Sequence, residues 1–209
     1  MDPSFWLERW QRNEIGFHQP APHKGLERHW AKLGLAHDAR VFVPLAGKSL
    51  DMIWLAAHGH RVVGIELAAE AVQAFAAENG AVDRVDLRCG DLFDLDAASL
   101  GPIQGVFDRA SLVALPPPTR RRYAAKLAEL SPPGTRALLV TMEYDQSRMN
   151  GPPHAVLEPE VQALFGATHE IVLLERDDAL DDFPRFAQRG VDSLAEAYYL
   201  LTRRGDTTG

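Results

Sequence analysis

The sequence predicts an α/β fold, doubly wound around a mainly parallel sheet, and three observations predict it. From residue 40 onward, short apolar runs alternate with helix-patterned segments, the order that builds parallel strands joined by crossover helices. Gly59, Gly80 and the run Pro132-Pro133-Gly134 punctuate those segments. The chain has 209 residues, the length of one domain able to bury a sizeable core without metal or disulfide staples.

Arg40 to Pro44 reads as the first strand and Ser49 to His58 as a helix. Gly59 then breaks the chain before Arg61 to Glu66, the second strand. Ala68 to Asn79 is helical in pattern and ends at Gly80, where a left-handed residue closes a helix. Val85 to Cys89 and Gly105 to Asp108 give two further strands. Pro118 to Leu130 is a helix with proline in its first turn, and Arg136 to Met142 is a fifth strand. Glu158 to Leu164 is helical again. Thr168 to Glu175 and Ala195 to Leu201 are strand-like, separated by the polar segment Arg176 to Gly190, and fit a hairpin-like pair at one sheet edge. Residues 1 to 39 hold Phe5, Trp6, Trp10, Phe17 and Trp30 and are expected to fold as a cover over the top of the sheet, with 40 to 209 as the α/β core of a single domain.

Net charge is -7, from 22 Lys and Arg against 29 Asp and Glu, so an extended anion such as nucleic acid is repelled on average. The triplet Arg120-Arg121-Arg122 reads as a solvated helix face. The single cysteine, Cys89, excludes an internal disulfide framework and suits a reducing compartment; at a strand end it reads as buried packing. The start MDPSFWLERW lacks the basic end and apolar run of a secretory leader, and no stretch approaches a membrane span. A cytoplasmic monomer is expected, without a membrane partner.

Val41 to Ser49, VFVPLAGKS, raises a nucleotide-binding possibility, because Gly47-Lys48-Ser49 matches the end of a phosphate-binding loop. The pattern fails at its other end, where Phe42 replaces the glycine that lets successive N–H groups face phosphates. Gly47 is also the only glycine between Arg40 and His58, too few for a pyrophosphate turn.

In an open parallel sheet, ligands bind at the carboxyl ends of the strands, near the switch in strand order. Glu66 ends the second strand there, and such an acid accepts two hydrogen bonds from the cis-diol of a ribose. Asp91, after the third strand, stands where an adenine amino group would lie. A ribose acid without a pyrophosphate loop points to S-adenosylmethionine. Local readings stay open at each position: Glu66 as an ordinary strand-end acid, Leu45 and Gly47 as a plain turn, Asp91 as a helix cap, and Arg109 as a partner of Asp108. The histidines at 18, 23, 29 and 37 do not share one helical face, no HExxH or GxSxG pattern occurs, and no metal is expected.

Several stretches carry a resemblance: FWLERW (Phe5 to Trp10), GFHQP (Gly16 to Pro20), VPLAGKSLDMIWLAAHGHRVVGIE (Val43 to Glu66), DRASLVALPP (Asp108 to Pro117), GPPHAV (Gly151 to Val156), PRFAQRGVDSL (Pro184 to Leu194) and YYLL (Tyr198 to Leu201). Together they span nearly the whole chain, which resembles the thiopurine S-methyltransferase family in its bacterial form. The resemblance implies a class I, Rossmann-like methyltransferase with a seven-stranded sheet, an antiparallel edge strand and an N-terminal helical cover. It implies that Trp10, Leu45, Glu66 and Arg109 contact S-adenosylmethionine, beside the Gly47 turn, with Asp91 and Leu92 at the adenine. Phe17 and Arg185 match positions lining the acceptor pocket, and His18 is expected at its entrance. Two residues depart from the family pattern: Ala46, where a cysteine is usual, and His154, where the residue is commonly apolar or aromatic.

The expected activity is methyl transfer to small aromatic or heterocyclic thiols, extending to selenium or tellurium compounds, with S-adenosylhomocysteine as product. No residue stands out as a catalytic base; Arg109 and Arg185 are expected to position and stabilise a thiolate. Trp6 and Trp10, four apart on one helix face, either fill the cover or, for Trp10, meet the sulfonium with an aromatic face. Two alternatives remain: a methyltransferase for an oxygen or nitrogen acceptor, and a cofactor-binding module without turnover. A nicotinamide oxidoreductase is a more distant one.

Overall fold

The computed structural model describes residues 3–205; the ends of the expected 1 to 209 domain, residues 1–2 and 206–209, lie outside them. The chain begins with α1 (Pro3–Gln11) and α2 (Lys24–His29). Five parallel-strand units follow: β1 (Arg40–Val43), α3 (Asp51–Ala57), β2 (Arg61–Glu66), α4 (Ala69–Asn79), β3 (Val85–Cys89), α5 (Ala97–Leu100), β4 (Gly105–Asp108), α6 (Pro117–Leu130) and β5 (Arg136–Glu143). The chain then runs through α7 (Glu158–Phe165), β6 (His169–Asp178), α8 (Pro184–Ala187) and β7 (Ala195–Arg203).

These strands form one seven-stranded sheet in the order β3-β2-β1-β4-β5-β7-β6. β1 to β5 are mutually parallel, whereas β7 lies antiparallel between β5 and β6. The antiparallel edge is therefore a pair with β6 on the border. No helix among the described residues is long and apolar enough to cross a membrane.

Strand alternation sorts side chains into two apolar layers. Phe42, Val63, Ile65, Val106 and Leu139 pack on one face beneath Tyr123 and Leu127 of α6 and Val161 and Phe165 of α7. Val41, Val43, Val62, Phe107 and Leu138 pack on the other with Met52 and Leu55 of α3. Each fully buried Val, Leu or Phe contributes about 1.5–3 kcal/mol, so these layers dominate the stability. The expected N-terminal cover divides in two. Leu26, Trp30 and Leu33 join the second layer, while Trp10 packs separately with Ala68 and Ala71, the latter on α4.

Several expectations shift for local reasons. α3 begins at Asp51, not Ser49, because the Ser49 hydroxyl donates to the Asp51 carboxylate at 2.7 Å and accepts from its backbone N–H at 3.1 Å, closing a turn. β6 continues to Asp178, through residues read as polar loop, with an irregularity between Leu173 and Glu175; only one side is paired, so its outward positions tolerate charge. The triplet at 120–122 is not one solvated face. Arg120 is 1% exposed, donating to the Leu115 carbonyl at 2.9 Å and to Glu160 at 2.6 Å. Arg122 stacks over the Phe93 ring at 3.8 Å. Cys89 is exposed, not buried, because β3 is the opposite sheet edge.

One buried acid ties the top of the sheet together. Asp108, at the end of β4, is 2% exposed and accepts the Tyr123 hydroxyl at 2.8 Å and the Leu112 N–H at 3.3 Å. Ser111 in the same turn donates to the Pro44 carbonyl at 2.8 Å, joining the loops after β4 and β1. Burial pushes the Asp108 carboxyl up to about 6 from an ordinary 3.8, against the lowering effect of the Tyr123 hydrogen bond. A raised acid means that this group's stabilisation is full below 3.8 and is lost as pH rises through about 6.

Tyr123→Phe removes a donor from the ionised carboxylate and is expected to cost about 1–3 kcal/mol at pH near 8, in urea unfolding. The loss should shrink near pH 5, where the acid is protonated. Equal losses at both values would dissociate the hydroxyl from the charge.

Candidate functional site

β1 is the switch strand: the chain builds outward to β2 and β3 on one side, then crosses back to lay β4 on the other. A crevice must open above that point, since the loops after β1 and β4 leave in opposite directions. The cavity found there has a volume of about 780 Å³, within the range of small-molecule sites. Its floor contains three left-handed backbone positions: Leu45 at φ 45° and Gly47 at 56° after β1, and Ala110 at 64° after β4. Non-glycine residues there store strain, which clusters where a loop is shaped for binding.

Glu66 fixes the β1 turn. It is 7% exposed; one carboxylate oxygen accepts the Gly47 N–H and the other the Ala68 N–H, each at 2.8 Å. Burial raises its pKa, while the N–H donors from Ala68, Gly47 and Leu67 oppose the shift. Glu66 is thus more than a strand-end acid. It clamps the loops after β1 and β2, and a carboxylate with about four lone-pair sites keeps acceptor capacity beyond these bonds.

Trp10 and Phe17 form a lid at one side. Their rings meet edge to face at 5.6 Å, and Trp6 meets Phe17 similarly at 5.4 Å. Trp10 is 8% exposed and lies against Gly47. All three aromatic side chains line the cavity, and so does His18, whose pKa is lowered by burial and then by Lys48. Asp91 accepts the Phe93 N–H at 2.8 Å, which makes it the cap of a short 3₁₀ turn, Leu92–Asp94. Both Asp91 and Leu92 nevertheless reach the cavity wall.

Arg109 and Arg185 face the same space. Among the described residues Arg109 has no carboxylate at ion-pair distance, although Glu196 lies close enough to feel its charge; Asp108, the alternative partner, is committed to Tyr123 and Leu112. Arg185 on α8 donates to the Gly16 carbonyl at 2.9 Å, fastening the C-terminal segment to the N-terminal lid. All the residues singled out from the sequence therefore converge: Trp10, Phe17, His18, Leu45, Gly47, Glu66, Asp91, Leu92, Arg109 and Arg185 line one cavity. Ala46 lines it too. His154 stands behind the Gly151 to Pro153 wall, with its N–H on the Val113 carbonyl at 2.7 Å.

Sequence reasoning missed Arg189 and Glu196, which also line the cavity. Arg189 came from the segment read as loop, and Glu196 is placed by its register opposite Met142 of β5. The Glu196 carboxylate accepts the Tyr198 hydroxyl at 2.7 Å and contacts His23 Nε2 at 3.2 Å. The Gly25 N–H donates to His23 Nδ1 at 3.2 Å, which places the ring proton on Nε2, toward Glu196. Among the described residues no group of three or more His, Cys, Asp or Glu is arranged to hold a metal ion.

The thiopurine S-methyltransferase family model matches residues 1–204. The thiopurine S-methyltransferase of Azotobacter vinelandii is 47% identical, over 98% of this chain and 100% of its own length. That of Pseudomonas fluorescens strain SBW25 is 45% identical over the same shares. Among solved structures, Burkholderia thailandensis 1,6-didemethyltoxoflavin-N1-methyltransferase, with bound 1,6-didemethyltoxoflavin and S-adenosylhomocysteine, has a TM-score of 0.66 at 21% identity, covering 97% of this chain and 87% of that one. The N-terminal domain of EvdMO1 with SAH bound has a TM-score of 0.62 at 17% identity, covering 98% of each. At such identities the likeness shows the fold alone.

The Gly47 turn has a testable cost. A Cβ there would lie 3.3 Å from the Trp10 ring on a backbone at φ 56°, so Gly47→Ala should lose about 1–2 kcal/mol in equilibrium unfolding. A loss below about 0.5 kcal/mol, the scale of inert surface changes, would show that the turn relaxes freely.

Proposed function

Because the chain belongs to the thiopurine S-methyltransferase family, we propose that its S-adenosylmethionine-dependent methyl transfer is directed to sulfur in small aromatic or heterocyclic thiols. The observation that carries this is the doubly anchored Glu66 carboxylate beside a turn with one glycine. It offers acceptors to a sugar diol and no nest of N–H groups for a diphosphate.

The residues fit the donor. Glu66 would hold the ribose hydroxyls, Asp91 and Leu92 would border the adenine, and Leu45 and Gly47 would leave room for the methionine portion. Arg109, without a carboxylate of its own, would take the methionine carboxylate as a charge-assisted pair. When bound, S-adenosylmethionine supplies a methyl carbon activated by a positive sulfur. The chain then has to orient two partners and exclude water. Trp10 offers a ring face to the cation, an attraction of about 0.5–2 kcal/mol. Phe17, His18 and Arg185 border the opposite approach, where an acceptor sulfur must stand roughly 3 Å from the methyl carbon and in line with the departing bond.

A sulfur acceptor suits the side chains present. Thiolates form near neutral pH more readily than alkoxides, aromatic ones more easily than the alkyl value of about 8.5, so holding the acceptor in place, with Arg185 at its border, replaces a strong base. Selenium and tellurium compounds would use the same in-line geometry. The remaining parts of the proposal are a single domain acting as a cytoplasmic monomer.

Methyl transfer from labelled S-adenosylmethionine should be detected with aromatic thiols and not with the matching phenols; the reverse preference would move the activity to oxygen. Donor binding without turnover on any thiol, selenol or tellurite would leave only a binding module. Glu66→Ala is expected to weaken S-adenosylmethionine by at least about tenfold in calorimetry, the size of hydrogen bonds to a charged group. Unchanged affinity would remove Glu66 from the ribose site. Trp10→Ala should weaken S-adenosylmethionine more than the uncharged S-adenosylhomocysteine, and equal losses would reduce Trp10 to packing.

A further inference from the structure

Arg109, Arg185 and Arg189 line the same cavity, and among the described residues none has a carboxylate within ion-pair distance. Arg185 rests on the Gly16 carbonyl, and Arg189 Nη1 touches only the Met149 sulfur, at 3.5 Å. The other cavity cations differ. Arg9 is paired with Glu14 at 3.2 Å and Lys48 with Glu78 at 2.5 Å. Arg122 is stacked on Phe93. Burial, then the charges of Arg189 and Arg109, hold the Arg185 pKa below its usual value, so Arg185 lies close enough to both to be repelled by them.

Glu196 lines the cavity too, but its oxygens are engaged by Tyr198 and His23. Asp51, Glu66 and Asp91 line it as well, each held by backbone N–H or hydroxyl donors and none at ion-pair distance from the three guanidiniums. What singles out these three guanidiniums is that none is tied into an ion pair, so their N–H forks stay open to an anionic ligand. A single donor carboxylate on Arg109 leaves Arg185 and Arg189, three residues beyond α8's Phe186, facing the acceptor side.

We propose that the methyl acceptor carries a carboxylate in addition to its sulfur, and that Arg189, together with Arg185, binds that carboxylate. The proposal rests on sulfur being the acceptor atom and names its class: aromatic mercaptocarboxylates. Guanidinium forks match the planar carboxylate, which fixes the ring's orientation as well as its charge. The thiolate meets the sulfonium and the carboxylate meets the arginine pair. In the transfer, a sulfur lone pair of the thiolate forms the new S–C bond while the methyl–sulfonium bond breaks, its electron pair staying on the donor sulfur. Two neutral thioethers result. The carboxylate is unchanged.

The test compares kcat/KM for meta-mercaptobenzoate and thiophenol in the whole protein, in Arg189→Gln and in Arg189→Lys. The unaltered protein should favour meta-mercaptobenzoate by at least about tenfold, mainly through KM, as one charge-assisted pair allows. Arg189→Gln should bring the ratio to within about threefold of one, and Arg189→Lys should retain part of it because the charge remains. A ratio near one in the unaltered protein, or one that survives Arg189→Gln, overturns the proposal. Failure of both thiols as acceptors would instead sink the assignment of sulfur, and the carboxylate assignment with it.

Discussion

The architecture of the cleft depends on a single buried anion. Glu66 ends β2 and uses its two oxygens to hold the N–H of Gly47 after β1 and of Ala68 before α4. Without those donors a carboxylate at 7% exposure would be expensive to keep charged. With them it becomes the fixed point from which both loops are suspended. The left-handed turn at Leu45 and Gly47, the seat of Trp10 over that turn, and the floor of the cavity all follow from where this side chain sits.

Asp108 repeats the device one strand along. Its carboxylate is held from α6 by Tyr123 and from its own loop by Leu112, and the neighbouring Ser111 reaches across to Pro44. The two acids have opposite outlooks. Glu66 faces the cavity, whereas Asp108 is buried on Tyr123 and Leu112 and makes no ion pair with Arg109, which lines the cavity. Arg109 can face a ligand because the acid beside it in sequence is spent on structure.

Much of this was legible in the sequence because a doubly wound sheet ties position in the chain to position in space. Once the strand ends were located, Leu45, Gly47, Glu66, Asp91 and Arg109 had to gather at one rim, and family resemblance added Trp10, Phe17 and Arg185. What stayed hidden was set by distant partners. Glu196 reaches the cavity through a register with β5 that no local pattern encodes. Arg189 follows a four-residue helix inside a polar stretch. Arg120 looked like surface because its shelter, the Leu115 carbonyl and Glu160, comes from a turn and another helix. Cys89 looked buried because periodicity alone does not distinguish a border strand from a central one.

The insertion of β7 between β5 and β6 also governs the order of assembly. β6 is synthesised first yet has no neighbour until β7 arrives, because its place is one strand removed from β5. During that interval the exposed borders of both β5 and β6 can recruit foreign strands, a hazard common to sheets completed late. Loss of the final strand would therefore not trim a margin but split the sheet through its interior, detaching β6 and withdrawing Glu196 from the cavity wall.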